Sequence, residues 1–158
     1  MSEAVAQTKA EFTRAKSRLE KGLKSTPADK LNWSPSPTSR TAVQLVAHSA
    51  MSTSGLARII KGEGMPFSSM AELDAALRSA EQQYTSADET LALLEATSAE
   101  YLGWLDTLTD EDLATIVNLP MGAMPLAVAI TFPGAHLVCH ASQLDYLQTV
   151  WGDHEWRF

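Results

Sequence analysis

Between Leu113 and Leu144 the chain carries no Asp, Glu, Lys or Arg, and this uncharged run limits the fold more than any other feature. A membrane span is the first structure such a length suggests. Pro120, Pro125 and Pro133, together with Asn118, His136, His140 and Gln143, lie inside the run and fit hydrocarbon poorly. A central buried helix of a soluble bundle, entered through an irregular connection, accommodates them better. The segment IVNLPMGAMP, 116–125, reads as an extended or hairpin-like connection. Pro125 suits the first turn of a last long helix ending near Trp151-Gly152. Pro133 is expected to kink that helix one turn before His136.

The rest of the chain is punctuated as helices. Val5, Phe12, Leu19 and Leu23 recur at helical spacing with charges between them, and Gly22 with Ser25-Thr26-Pro27 ends the pattern. The loop STPADKLNWSPSPT holds three prolines, so no helix continues through it. Its Trp33 is expected to plug one end of the core. A second helix is predicted from Thr38 or Ser39 to about Lys61, with Leu45, His48, Ser52, Gly55 and Ile59 on one face. Ser69 to Glu72 and Ser86 to Glu89 match capping boxes. The first opens a short helix over 70–80. The second opens a long one whose seam runs Leu91, Leu94, Ser98, Tyr101, Leu105, Leu108. Thr109 to Asp112 caps another short turn. No strand pattern supports a sheet. The prediction is an all-α protein, a single domain over 1–158 built as a four-helix bundle.

At 158 residues, 45% apolar and 20% charged, the chain can bury a sizeable core. Nineteen acids against 12 bases give a net charge of −7, without a basic cluster. A nucleic-acid partner is not expected, nor is an anionic membrane surface. One cysteine excludes an intramolecular disulfide and fits a reducing, cytoplasmic location. The N-terminus has no apolar core of a signal peptide.

Chemistry concentrates on histidines. His136 and His140 stand four apart, so a helix brings them to one face roughly 6 Å apart. His48 sits alone on the second helix. Two imidazoles from one helix and a third from a neighbour form a three-histidine set with open coordination positions, the pattern of a catalytic metal site. Around His136, Gln143 falls at about −20° and His140 at about +40° on a helical wheel. Around His48, Thr41 falls at about +20°, Gln44 at about −40° and Ser52 at about +40°. These four polar residues are candidate substrate-binding groups, since a core helix has no packing reason to gather them on one stripe. Ordinary, partly buried and hydrogen-bonded histidines remain the competing reading of the residues alone.

No protein nucleophile with its base is visible, and no catalytic residue is assigned. Cys139 lies about −60° from His136 and is expected to be a small buried residue. His154 belongs to the tail. HExxH is absent, so a glutamate base of that type is not available. Glu72, Asp74, Glu95 and Asp110 to Asp112 are expected to be solvated. By elimination, any catalysis would rest on a nucleophile activated at a metal, with no covalent nucleophile from the protein.

The Trp33-Ser34-Pro35-Ser36-Pro37 loop, the lone His48, the connection before the last helix, and above all His136-x-x-x-His140-x-x-Gln143-Leu144 resemble the DinB/YfiT-like superfamily over nearly the whole chain. The resemblance implies an up-down-down-up bundle whose histidines, here His48, His136 and His140, bind a divalent metal, commonly zinc or nickel. It also implies a link to thiol-dependent S-transferases and isomerases using bacillithiol, mycothiol or glutathione. Many similar proteins have no known activity. The family often has Arg-Gly where this chain has Ala141-Ser142, so a role of that arginine toward an anionic substrate is missing here. Two classes follow. One is a metal-dependent enzyme acting on a small-molecule substrate with a low-molecular-weight thiol. The other is a non-catalytic stress protein that binds metal or a small ligand, or a degenerate member with an empty site. A homodimer is compatible with both.

Overall fold

The computed structural model describes residues 2–157. The long helices are α1 (Glu3–Ser25), α2 (Ala42–Ile60), α4 (Ala87–Leu105) and α7 (Phe132–Val150). Shorter helices are α3 (Met70–Glu81), α5 (Asp110–Ala114) and α6 (Leu126–Ala129). An antiparallel hairpin of β1 (Ile116–Leu119) and β2 (Gly122–Pro125) precedes α6 and pairs Val117 with Met124. The protein is a four-helix bundle with a short hairpin before its last long helix.

Cross-helix pairs fix the topology. Gly134 faces Phe12, while Gly22 faces Leu144, so α1 and α7 run parallel. Lys9 pairs with Asp106 and Lys16 with Glu95, which makes α1 and α4 antiparallel. Asn32, ahead of α2, bonds the Thr85 carbonyl ahead of α4, and Lys61 past the end of α2 lies over the Trp104 ring. The helices α2 and α4 are therefore parallel too. The order is up-down-down-up, as the resemblance implies. Parallel neighbours need a return connection, and residues 61–86, including α3, supply one between α2 and α4.

The core follows the apolar periodicity. Val5, Phe12, Leu19 and Leu23 of α1 are buried. On α4, Leu94, Ser98, Tyr101 and Leu105 are buried. Phe12 and Tyr101 pack with ring centroids 4.8 Å apart. Trp33 packs edge-on to Trp151 at 5.9 Å, closing one end of the bundle as expected.

Two boundaries differ from expectation. The second helix starts later than Thr38: Thr41 is its N-cap, and Thr41 with Gln44 forms a reciprocal capping box. The last helix is not one kinked rod. It breaks between α6 and α7, and Pro133 occupies the first turn of α7, where its missing N–H costs nothing. The Ile130 carbonyl at the break accepts a hydrogen bond from the buried Tyr101 hydroxyl, which satisfies a group the interrupted ladder leaves open. Gly22 is not a terminator. It lies inside α1 at a close approach, where a Cβ would sit 2.7 Å from Leu144 Cδ2.

Candidate metal centre

The α2–α7 interface brings His48, His136 and His140 together. Ring centroids are 5.3 Å apart for His48–His136, 4.6 Å for His48–His140 and 4.4 Å for His136–His140. One ligand atom from each lies within 4.8 Å of the others. His48 and His140 are buried and His136 half-buried. Among the described residues this is the one group of histidine, cysteine or acid side chains so arranged.

Hydrogen bonds to the outer ring nitrogens settle which nitrogens face inward. His48 Nδ1 lies 2.8 Å from Glu81 Oε1, a carboxylate oxygen that only accepts, so Nδ1 carries the proton and Nε2 the lone pair. His140 Nδ1 lies 2.7 Å from Gln143 Oε1, with the same consequence for its Nε2. His140 Nε2 stands 3.2 Å from His136 Nε2. Two nitrogens bound about 2.0–2.1 Å from a common tetrahedral ion would be separated by about 3.3 Å. His136 Nδ1 is buried and has no hydrogen-bond partner. Ser52 Oγ lies 3.4 Å from His48 Nε2, on the side where the nitrogens converge.

Electrostatics favour the neutral form of His136 and His140. Burial, followed by the neighbouring His140, His48 and Arg40, lowers His136 to about 4. Burial also lowers His140, and the Gln143 bond opposes the shift. Neutral imidazoles with inward lone pairs suit a borderline-soft divalent cation, so the donor set fits one.

Glu81 and Arg40 belong to the site and were not anticipated from the sequence. Glu81 ends α3 and is 1% exposed. Arg40 grips its carboxylate at 2.7 and 3.1 Å and reaches Asp74 at 3.3 Å. Burial alone would push the Glu81 carboxyl up; the bonds from His48 and Arg40 hold it below the usual carboxylate range. Of the acids expected to be solvated, Glu72, Asp74, Glu95, Asp110 and Glu111 are exposed and Asp112 is half-buried; Glu81 was not among them.

The polar residues proposed around the histidines divide. Ser52 and Gln143 touch histidines. Thr41 and Gln44 turn their polar atoms to the helix start, Thr41 Oγ1 accepting from Gln44 N and Gln44 Oε1 from Thr41 N. Cys139 is exposed, contrary to the expectation of a buried residue. Position −60° on the wheel already lies past the edge of the buried stripe of α7. His154 is exposed in the tail. A cavity of about 600 Å³ opens beside His48 and His136, between α2, α4 and α3.

A model of the DinB superfamily matches residues 11–144. The chain belongs to the DinB superfamily. Known structures agree on the fold. YfiT from Bacillus subtilis, described as a probable metal-dependent hydrolase with an unusual four-helix bundle topology, superposes with a TM-score of 0.75 at 17% identity, over 96% of this chain and 90% of that one. A mycothiol-dependent maleylpyruvate isomerase matches with a TM-score of 0.71 at 15% identity, over 91% of this chain and 63% of that one. The colibactin self-resistance protein ClbS, solved with double-stranded DNA, matches at 0.69 and 16% identity, over 91% and 94%. No curated protein matches the chain significantly. No helix among the described residues is long and apolar enough to cross a membrane.

Proposed function

We propose that this DinB-superfamily protein is a metal-dependent enzyme whose His48, His136 and His140 hold a divalent transition ion, zinc or nickel, and whose reaction transfers a low-molecular-weight thiol to an electrophile. The observation that carries this reading is the pairing of His48 Nδ1 with Glu81 and His140 Nδ1 with Gln143, which turns both Nε2 atoms to one point beside an open cavity. A bound divalent ion supplies Lewis acidity that favours the thiolate over the thiol near neutral pH.

The chain's own residues do the positioning. Glu81, itself gripped by Arg40, fixes the ring and tautomer of His48. Gln143 does the same for His140. Ser52 Oγ stands beside His48 Nε2 and is placed to orient an incoming polar group. Cys139 is exposed and contributes no nucleophile, and every histidine of the set serves the ion, so no side-chain base remains beside Ser52.

The isomerase neighbour is thiol-dependent, which supports the thiol reading. The DNA-bound neighbour raises a nucleic-acid partner; a net charge of −7 argues against one here. The test uses untagged protein loaded with zinc or nickel and assayed for conjugation of bacillithiol, mycothiol and glutathione to a chromogenic electrophile. The expected result is a metal-dependent rate with at least one thiol, lost in His48→Ala together with the metal. A rate that survives metal removal would refute the metal's role in the reaction; no rate with any thiol would favour a non-catalytic binding protein.

A further inference from the structure

We propose that the cavity beside His48 and His136 receives an uncharged, largely apolar small molecule, bound between α3 and the bundle with its reactive end toward the histidines. This deepens the functional reading above by naming the class of electrophile, and rests on it only for the orientation.

The helix α3 carries apolar residues that the core does not use. Its sole buried residue is Glu81. Leu73 and Leu77 are half-buried and Met70 is 67% exposed, and all three line the cavity. Met51 of α2, and Met65 and Phe67 of the connection into α3, line it from other sides. A helix face that is apolar yet unfilled by protein is a binding surface rather than a core surface.

The charges at this cavity are already neutralised. Arg58 bonds Glu63 at 2.7 Å, and Asp74 bonds Arg78 at 2.8 Å. Arg40, the nearest cation behind the histidines, is committed to Glu81 and Asp74. Away from the histidine end, where a bound ion would supply its own charge, an anionic group would therefore lose its hydration without gaining a counter-charge, a cost that neutral groups escape. The three methionines have flexible, polarisable side chains that adapt to ligands of different outline. Ser52, Ser54 and Thr97 are the uncharged hydroxyl side chains in the lining, available to a single polar function. A volume of about 600 Å³ suits a molecule of a few fused rings or a branched chain.

The test is a titration of the full chain with the uncharged dye Nile red, followed by displacement with 2-acetylnaphthalene or with 2-naphthoate, which differ mainly in charge. Saturable binding with blue-shifted emission is expected, and displacement at a concentration at least about tenfold lower for the ketone than for the carboxylate. Met70→Asp, at an exposed position that folding tolerates, and Phe67→Asp are each expected to weaken dye binding about tenfold. Absence of saturable binding, equal displacement by the two naphthalenes, or unchanged affinity in both variants would overturn the proposal. Zinc content is measured on the same wild-type sample. Zinc bound without dye overturns the cavity assignment alone; dye bound by protein that takes up neither zinc nor nickel supports it and overturns only the metal reading.

Discussion

Glu81 and His48, on different helices, are joined by a 2.8 Å hydrogen bond at a point where the carboxylate is 1% exposed. The bond fixes which nitrogen of His48 faces His136 and His140. Replacing Glu81 by Gln keeps the volume and removes the charge. A metal-ligating histidine that loses its outer carboxylate typically loses about 10–100-fold in metal affinity. That loss is the expected outcome for zinc in a chelator competition. Glu81→Ala leaves Arg40 only its longer bond to Asp74, and is expected to cost about 1–3 kcal/mol in urea unfolding. Equal zinc affinity in wild type and Glu81→Gln would show that the carboxylate serves packing only.

Acid should destabilise the metal-free protein through the same histidines. His136 is held at about 4 in the folded chain by burial, against an ordinary value of 6.5. The unfolded chain therefore binds a proton that the folded one refuses. Stability from this group is complete above pH 6.5 and declines as pH falls toward about 4. His140, shifted in the same direction, adds to the decline. Chelator-treated protein should thus show a melting temperature that falls between these pH values, and His136→Phe should flatten the slope. A slope unchanged in that variant would place the acid sensitivity elsewhere.

Thr41 separates a structural from a substrate-binding role. Its hydroxyl accepts from Gln44 N at 3.2 Å, so Thr41→Ala should cost about 1 kcal/mol of stability, the usual loss for such a cap. Zinc affinity and KM for any substrate should stay unchanged, whereas Ser52→Ala should alter KM or kcat with little effect on stability. A raised KM in Thr41→Ala, at a temperature where the variant is fully folded, would return it to the site.

Gly22 permits the close approach of α1 and α7. A methyl there would meet Leu144 Cδ2 at 2.7 Å, and Leu144 is wholly buried, so it yields only by pressing on its core neighbours. Gly22→Ala is expected to destabilise the protein by about 1–3 kcal/mol, as overpacking of a filled core does. Stability equal to or above wild type, from the better helix propensity of alanine, would contradict the packing described.

Periodicity carries the four long helices because their buried stripes are continuous, and the HxxxH spacing carries His136 and His140 because one helix holds both. The partnership of Glu81 with His48 has no such trace. They lie 33 positions apart, and Glu81 sits at the end of a short helix with other charges, where an acid normally faces water. Thr41-x-x-Gln44 has the pattern of a capping box, yet wheel geometry assigns both to the histidine stripe because a wheel ignores where the helix begins. Pro133 is compatible with a kink or a fresh start. The choice depends on whether something distant takes the open carbonyl, and Tyr101, from another helix, does so at Ile130.

The two parallel helix pairs meet at the histidines. His48 comes from the α2/α4 pair, and His136 and His140 from the α1/α7 pair. An ion held by all three is then a clasp across the seam, spanning segments that the chain joins only through the long route of α3, α4 and the hairpin. Its grip should be felt as resistance of the whole molecule to opening. An ion present at a hundred times its dissociation constant adds about 2.7 kcal/mol against unfolding.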